Sequence, residues 1–313
     1  IFGSEQCIWR NKFVTLRCAP AGEAVWMSKR DRRCEESEGI QQVDIEKALA
    51  DLKLLDLAVD LFGSRAIGLE HRESDVNVLV SRPFPPLIRE IEEAAESANP
   101  KFLLEKVVPT LLPDCLPPRL VLRHIGTDVV LDVISRWSAD IFVRQRDEVA
   151  TAMLEFDDRV GDFIKMLHDW VLHHRADFPV AEGYPNMYVF RLMGFHFLME
   201  RVMGVVLPPL VAVGAKLNEA DDRFVAQKKV KKDKAGPEEL LQDWLEAMGK
   251  AEKRGLWANL KRPEETGPPS VWQVIDPPSG KKLLRLTESQ IFEISSRARR
   301  DAAVLRRKVA EKH

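Results

Sequence analysis

The sequence predicts an α+β fold, in which a small mixed β-sheet with helices is followed by a mainly helical region. The first observation is the order of elements between residues 43 and 135, which is helix, turn, strand, helix, strand, strand. The second is the later part of the chain, where apolar residues recur at helical spacing over 163–174, 237–248 and 289–312. A chain of 313 residues is long enough to form about two domains.

The composition is that of an ordinary globular protein, with 45% hydrophobic and 31% charged residues. The formal net charge is −2, so contact with nucleic acid would need a local basic patch. The chain has no run of about 18 apolar residues, and we therefore expect no membrane span. The four cysteines lack the paired spacing of a zinc site, which favours reduced thiols: Cys7, Cys18, Cys34 and Cys115.

Residues 1–39 are interpreted as an N-terminal extension for which no fold is predicted. The segment is rich in arginine and lysine, so it is interpreted either as an arm that grips a partner or as a remnant of processing. Because the chain begins at Ile1 rather than at methionine, a leader that precedes it and an organellar address both remain open.

The first predicted helix runs from Val43 to Val59 and ends at about Phe62, because its apolar residues recur at helical intervals. The sequence pattern of residues 101–112 leaves their secondary structure ambiguous. The other elements predicted for this half of the chain are a strand over 76–81, a helix over 87–97 that follows a proline break, and a hairpin of strands 119–124 and 129–135.

The segment from Leu61 to Val80 reads LFGSRAIGLEHRESDVNVLV and carries the most specific pattern in the chain. Gly63 and Ser64 predict a tight turn whose backbone N–H groups can hold an anion. A strand that begins near Asp75 places Asp75 and Asn77 on the same face, because side chains alternate along a strand. The segment therefore predicts an anion-binding turn that faces a carboxylate of the kind that binds a hard metal ion.

This order of Gly-Ser, Gly-Leu and Ser-Asp-x-Asn resembles the pattern of the DNA polymerase β-like nucleotidyltransferases, which has Ser-Asp-x-Asp at the same spacing, and most closely the branch of terminal uridylyltransferases and non-canonical poly(A) polymerases. The resemblance implies three carboxylates that hold two Mg²⁺ ions, and it places them at Asp75, Asn77 and Asp132, with an amide in the middle position. Asp128, in the hairpin loop, is the poorer candidate for the third position. The alternative for Asp132 is an ordinary acid at a strand end, paired with an arginine such as Arg136.

The same resemblance implies nucleotide-binding positions around Gly63 and Ser64. The family carries two phosphate-binding lysines around a tryptophan, and Trp170 places them at His168 and Leu172. The family's Ser-Tyr pair falls on Met187 and Tyr188, with Tyr188 in the position that stacks on the base. A packing role in the core is the alternative for both His168 and Tyr188.

Three further segments are assigned by resemblance or by charge. Val206–Leu210 resembles the family's Leu-Pro turn, and Val271–Pro278 resembles the strand and Asp-Pro turn of its nucleotide-recognition loop. Gln227–Lys234 is a basic run within an insertion over 227–236, predicted to be a solvated loop, and residues 262–270 are predicted to be a loop. The last helix has a basic outer face that is either a phosphate patch or a solvated surface: Arg297, Arg299, Arg300, Arg306, Arg307 and Lys308.

The resemblance spans residues 43 to about 310 and implies a palm domain over 60–142 and a poly(A) polymerase-like helical domain formed by 40–59 and 143–313. Because one metal carboxylate, both lysines and one hydroxyl are replaced, the first hypothesis is a catalytically inactive scaffold. It would bind RNA or protein subunits of a ribonucleoprotein in mitochondria, or otherwise in the cytoplasm, without a cofactor. The alternative is an active terminal RNA uridylyl- or adenylyltransferase that binds Mg²⁺ through Asp75 and Asp132. A third hypothesis is a sensor that holds UTP or ATP on Tyr188.

Overall fold

The structure of the protein is a computed structural model that describes residues 42–70, 75–108, 118–200, 207, 235–261, 271–284 and 286–312, with the backbone alone at 137–142 and 308–312. Five predictions therefore lie outside the described residues. They are the extension over 1–39, the reduced state of the four cysteines, the Leu-Pro turn apart from Leu207, the basic run over 227–234 and the loop over 262–270.

A mixed sheet forms the first half of the described chain. Its strands are β1 Val59–Phe62, β2 Val76–Val80, β3 Phe102–Val108, β4 Arg119–His124 and β5 Val130–Ser135. Their spatial order is β1-β2-β5-β4-β3, in which β2 and β5 are parallel and the other neighbours are antiparallel. Strands β4 and β5 form the predicted hairpin, and the ambiguous stretch after residue 101 is the edge strand β3. The predicted mixed sheet is confirmed.

The first helix is shorter than predicted, because α1 covers only Gln42–Lys53. Asp56 has a φ of 55°, a left-handed conformation through which a right-handed helix cannot continue. The backbone of Val59–Phe62 instead pairs with β2, so the expectation of a helix up to about Phe62 is wrong. Helix α1 also packs on the sheet, whereas the predicted boundaries assigned residues 40–59 to the helical domain. The side chains that make this contact are Ile45, Ala48 and Leu52.

Helix α2 covers Phe84–Ala95 and begins three residues before its predicted start. Pro85 and Pro86 lie in its first turn, where a proline is tolerated because the N–H that it lacks has no partner within the helix. The buried side of α2 joins the same hydrophobic cluster as α1. Both helices therefore cover one face of the sheet, and the other face is left to form the site.

The second half of the described chain is mainly helical. Its helices are α3 Arg136–Phe156, α4 Asp158–His173, α5 Met187–Glu200, α6 Pro237–Arg254 and α7 Glu288–Lys312, and two short parallel strands accompany them, β6 Leu256–Ala258 and β7 Trp272–Val274. Their core is a cluster separate from that of the sheet. Three fully buried tryptophans belong to it, Trp170, Trp244 and Trp272. The helices predicted around Trp170, after Pro237 and at the end of the chain are all present.

A buried polar contact joins α4 to α7. The indole N–H of Trp170 donates to Asp301 at 2.8 Å, and His174 Nε2 lies 2.7 Å from the same carboxylate oxygen. These hydrogen bonds lower the pKa of Asp301 below its ordinary value, although burial acts in the opposite direction. The contact compensates the buried carboxylate and fixes the rotation of α7 against α4.

The basic face of α7 is partly neutralised by neighbouring acids. Arg297 lies 3.1 Å from Asp177, Arg299 lies 2.9 Å from Glu252, and Arg306 pairs with Glu246. Arg300 and Arg307 are exposed. Among the described side chains, a phosphate patch on this helix would therefore rest mainly on these two arginines. Among the described helices, none is long and apolar enough to cross a membrane.

The close contact between α4 and α5 predicts a packing effect at Gly194. A Cβ atom added there would lie 2.8 Å from Leu167 Cδ2 and 3.1 Å from Ile164 Cδ1. We expect Gly194→Ala to lower the free energy of unfolding by roughly 1–3 kcal/mol, as overpacking of a core does. Urea denaturation monitored by tryptophan fluorescence measures this change.

Gly161→Ala in α4 is the matched control, because a Cβ atom there meets nothing within 4 Å. This variant should raise stability by roughly 0.5–1 kcal/mol through helix propensity. Equal effects of the two substitutions would contradict the packing described for α5.

Candidate functional site

The Gly63–Ser64 turn directly follows strand β1. Gly63 has a φ of +75°, and residues 63–65 form one turn of 3-10 helix. A Cβ atom on Gly63 would lie 3.2 Å from the side-chain amide nitrogen of Asn77, so both the backbone conformation and the space favour glycine. The predicted turn is therefore present and lies against the middle residue of the predicted triad, although a strand rather than a helix leads into it.

The parallel pairing of β2 with β5 brings the predicted triad together. Asn77 and Asp132 are register partners, so their side chains lie side by side on the same face. Asp75 precedes β2 and points to the same side as Asn77, and its charge contributes to raising the pKa of Asp132. The structure thus assembles the three predicted positions at one place on the sheet.

Asp132 has a partner that the sequence analysis missed. Arg119, on the neighbouring strand β4, donates to its carboxylate at 2.7 Å. Burial raises the pKa of Asp132 to about 6, and Arg119 limits this rise. The expected alternative partner was wrong, because Arg136 pairs with Asp60 instead. Asp128 lies in the hairpin turn and pairs with Arg123 at 2.7 Å, away from the triad.

These residues are a poor fit to a pair of magnesium ions. A two-metal site needs several carboxylate oxygens free to face the cations. Here Asp75 is a carboxylate, Asn77 is a neutral amide, and Asp132 shares one oxygen, Oδ2, with the guanidinium of Arg119, which leaves only its Oδ1 without a hydrogen-bond partner among the described residues. In the described part of the chain, no three His, Cys, Asp or Glu side chains are grouped so that they could hold a metal ion.

A cavity of about 540 Å³ lies between this face of the sheet and helices α3, α4 and α5. Its walls include every predicted nucleotide-binding residue, with the two replaced positions among them: Gly63, Ser64, His168, Leu172, Met187 and Tyr188. Asp75 and Asn77 also line it. The volume is within the range of about 300–1,000 Å³ that small-molecule sites occupy. The structure therefore brings the phosphate and base positions of the prediction and two of its three metal positions, Asp75 and Asn77, into one cavity.

Tyr188 is held by a buried carboxylate at one end of the cavity. Its hydroxyl donates to Asp276 at 2.8 Å, and Arg146 donates to both oxygens of the same carboxylate at 2.9 and 3.1 Å. Burial acts to raise the pKa of Asp276, but hydrogen bonds from Arg146, Ser279 and Tyr188 leave it below its ordinary value. The Arg146 guanidinium lies 5.0 Å from the centre of the Tyr188 ring, so a cation of the protein itself covers part of this aromatic surface.

A second missed acid, Asp147 of α3, contacts the turn. The backbone N–H of Gly63 donates to its carboxylate at 2.8 Å. Burial raises the pKa of Asp147 to about 6, and Arg191 of α5 is among the groups that oppose this rise. The sequence did contain one signal for this pair, since Arg191 is the one charged residue in the otherwise apolar segment Tyr188–Phe195. A cation at a buried helical position predicts a buried anion nearby.

The mixed sheet, with a helical region across a cavity from it, has the arrangement of a nucleotidyltransferase fold. The solved structures that are similar to this chain have that fold, and they include mtPAP and the Cid1 poly(U) polymerase. This confirms both the predicted fold class and the resemblance at the level of fold. No protein-family model matches the chain, and no curated protein matches it.

The similarity is structural and the sequence identity is low. The complex of mtPAP with UTP has a TM-score of 0.65 and 17% identity, and the alignment covers 85% of this chain and 65% of that one. For Cid1 the TM-score is 0.65 at 15% identity, with 84% and 88% covered. A Cid1 mutant bound to MgATP gives a TM-score of 0.66 and 14% identity, with 84% and 87% covered. This chain thus spans less than two thirds of the length of mtPAP.

The contacts of Asp132 predict that two features limit the affinity of the site for a divalent metal ion. They are the missing negative charge at Asn77 and the positive charge of Arg119. Asn77→Asp adds one negative charge and Arg119→Gln removes one positive charge, so the double variant should bind Mn²⁺ at least tenfold more tightly than the wild type. A tenfold change is about 1.4 kcal/mol, well below the roughly 4 kcal/mol between unit charges 4 Å apart at an effective dielectric constant of 20. Electron paramagnetic resonance of free Mn²⁺ measures the affinity.

Arg123→Gln combined with Asn77→Asp is the matched control. Arg123 lies on the same strand, but it pairs with Glu105 and Asp128. This variant should bind Mn²⁺ no more tightly than Asn77→Asp alone. Wild-type protein that binds Mn²⁺ as tightly as the Asn77→Asp/Arg119→Gln variant would contradict the prediction.

Proposed function

We propose that this chain is a catalytically inactive protein with a nucleotidyltransferase fold, and that it acts as a scaffold subunit which binds RNA and protein. The observation that carries the proposal is the ion pair between Arg119 and Asp132, next to the amide of Asn77. Nucleotide transfer by two metal ions needs carboxylates that are free to bind the cations, and here one of the two carboxylates is paired with a guanidinium.

The electrostatic argument concerns the charge that is available for metal ions. Two Mg²⁺ ions bring four positive charges, which a two-metal site balances with carboxylates and substrate phosphates. Asp75 and Asp132 supply two negative charges, and Arg119 already compensates one of them. The remaining charge favours the weak binding of at most one divalent ion.

The phosphate side of the cavity supports the same conclusion. At the two positions where the resemblance expects lysines, the cavity wall presents an imidazole, His168, and an apolar side chain, Leu172. Met187 lies where the hydroxyl is expected. A neutral imidazole is a weaker partner for phosphate than an ammonium group, and the other two side chains offer no hydrogen-bond donor. The cavity therefore lacks the lysines that would hold a triphosphate for transfer.

The scaffold role is supported by the surface of α7. Phe292 is 55% exposed, and Arg300 and Arg307 are exposed about two and four turns further along the same helix. An exposed aromatic ring and arginines spaced along one helix suit an extended single-stranded RNA, because bases stack on the ring and phosphates contact the guanidinium groups. The proposal places the protein in a mitochondrial RNA-processing or ribosomal particle, and the support for this location is the fold similarity to mtPAP.

An active terminal uridylyl- or adenylyltransferase is the second candidate. The cavity in contact with Asp75 is large enough for a nucleotide, and similar structures of mtPAP contain UTP or GTP. In this case Asp75 and Asp132 would hold Mg²⁺, which would activate the attacking hydroxyl and bind the triphosphate.

Primer extension separates the two candidates. With a labelled RNA primer, UTP or ATP, and Mg²⁺ or Mn²⁺, we expect the wild type to give no extension above the level of Asp75→Ala. The Cid1 poly(U) polymerase serves as the positive control for the assay. Extension by the wild type that disappears in Asp75→Ala would show turnover and remove the proposed inactivity.

The scaffold role predicts co-sedimentation with RNA. On a density gradient of native extract, the protein should migrate with a large particle and move to the top after ribonuclease treatment.

Arg300→Glu combined with Arg307→Glu should weaken binding to a single-stranded RNA at least tenfold, because two phosphate contacts become repulsive. Lys253→Glu with Arg254→Glu on α6 changes the net charge equally and should leave binding within about twofold at the same salt concentration. Loss of binding in both pairs alike would indicate a non-specific charge effect and contradict a binding surface on α7.

A further inference from the structure

The carboxylate of Asp147 lies on the phosphate side of the cavity. It belongs to helix α3, 84 residues after the turn that it contacts, and it accepts a hydrogen bond from the backbone N–H of Gly63 at 2.8 Å. The residues at both ends of this hydrogen bond line the cavity. A backbone N–H exposed in a tight turn is a typical donor to anions, and here its acceptor comes from the protein.

Arg191 provides a second, independent observation at the same place. Its side chain lines the cavity although the residue is only 5% exposed, and its buried Nε makes no hydrogen bond within the described part of the chain. Burial lowers the pKa of Arg191 to about 10, and the charge of Asp147 acts in the opposite direction. A buried guanidinium needs an anion nearby, and Asp147 supplies it.

A guanidinium and a backbone N–H that act on one anion are the elements of a phosphate-binding site. We propose that Asp147 is an internal anion that holds the place of a ligand's phosphate group, and that Arg191 binds this phosphate when Asp147 is neutral or displaced. The ligand class is a nucleotide or a phosphorylated RNA end, bound without a divalent metal. The inference concerns the same cavity as the proposed function. It rests on that function in one respect, which is that the bound phosphate is not transferred.

The protonation of Asp147 provides the first test of this exchange. Burial raises its pKa to about 6, whereas the Gly63 N–H, Arg191 and Arg146 act to lower it. The protonated fraction therefore increases as the pH falls through about 6. A neutral Asp147 no longer repels an added anion, so anion binding should be stronger at pH 5 than at pH 8.

Other ionisable groups also face this cavity and need a control. They are Asp75 and His168, which line the cavity, and Asp132, which lies on the same face of the sheet beside the lining residues Asn77 and Arg119. Burial raises the pKa of Asp132 to about 6 as well. Asp147→Asn separates these contributions, because it removes only the titration of Asp147 and keeps an oxygen that can accept from Gly63.

The experiment measures the binding of inorganic pyrophosphate in EDTA at pH 8 and constant ionic strength, by calorimetry. Asp147→Asn should bind pyrophosphate at least tenfold more tightly than the wild type. Asp147→Asn combined with Arg191→Met should lose this gain, because no buried cation remains. Equal binding by the wild type and Asp147→Asn, or a gain that persists without Arg191, would overturn the proposal.

The pH dependence is measured with sulfate, which stays a dianion between pH 5 and pH 8. We expect the wild type to bind sulfate at least fivefold more tightly at pH 5 than at pH 8, and Asp147→Asn to keep only the smaller pH dependence that the other ionisable groups of the cavity give. If the variants do not fold, the wild-type comparison decides alone, and equal affinity at both pH values would refute the internal anion. Primer extension is measured on the same samples, so a failure here and a failure of the proposed function are seen separately.

Discussion

The register between the parallel strands β2 and β5 determines the chemistry of the cleft. It places Asn77 beside Asp132 on the open face of the sheet, and a shift of one strand by one residue would turn that strand's polar side chain into the core beneath α1 and α2. The antiparallel pairing of β4 with β5 then sets Arg119 opposite Ile134, two residues from Asp132, within reach of its carboxylate. Every later statement about metal, phosphate or ligand at this site depends on these two registers.

The acidic side chains around the cleft already interact with other groups of the protein. Asp132 has Arg119, Asp276 has Arg146, and Asp147 has Gly63 with Arg191 nearby. A site that awaits a highly charged substrate is usually built with charges that only the substrate satisfies. Here a ligand must displace an internal contact before it gains its own, so binding free energy is the difference between two similar interactions.

Much of the fold could be predicted from local sequence patterns. The period of two after Asp75 gives β2, and the helical spacing around Trp170 gives α4, because each pattern reports which side of one element is buried. The end of α1 could not be predicted in this way, since Asp56 adopts a left-handed conformation that an aspartate does not by itself indicate. The spacing also showed that α1 has a buried side without showing that this side faces the sheet.

The sequence predicted which residues would lie together at the candidate site, but not which contacts their charged groups would make. The resemblance placed Gly63, Asp75 and Tyr188 around one cavity, as the structure has them. What it missed were contacts between residues far apart in the chain, such as Arg146 with Asp276, 130 residues later. Pairings of this kind depend on how the helices pack against the sheet, and a single sequence holds no local record of them.

The ion pair between Arg119 and Asp132 also affects how the sequence can change during evolution. A mutation that restores an acid at Asn77 adds negative charge beside Asp75 while Arg119 still occupies one carboxylate. A mutation that first removes Arg119 leaves Asp132 buried without its cation. Each single step is unfavourable, and only the two together give a site with more charge for a metal. Under the proposed inactivity, the ion pair therefore makes the loss of catalysis difficult to reverse, because two mutations must occur together.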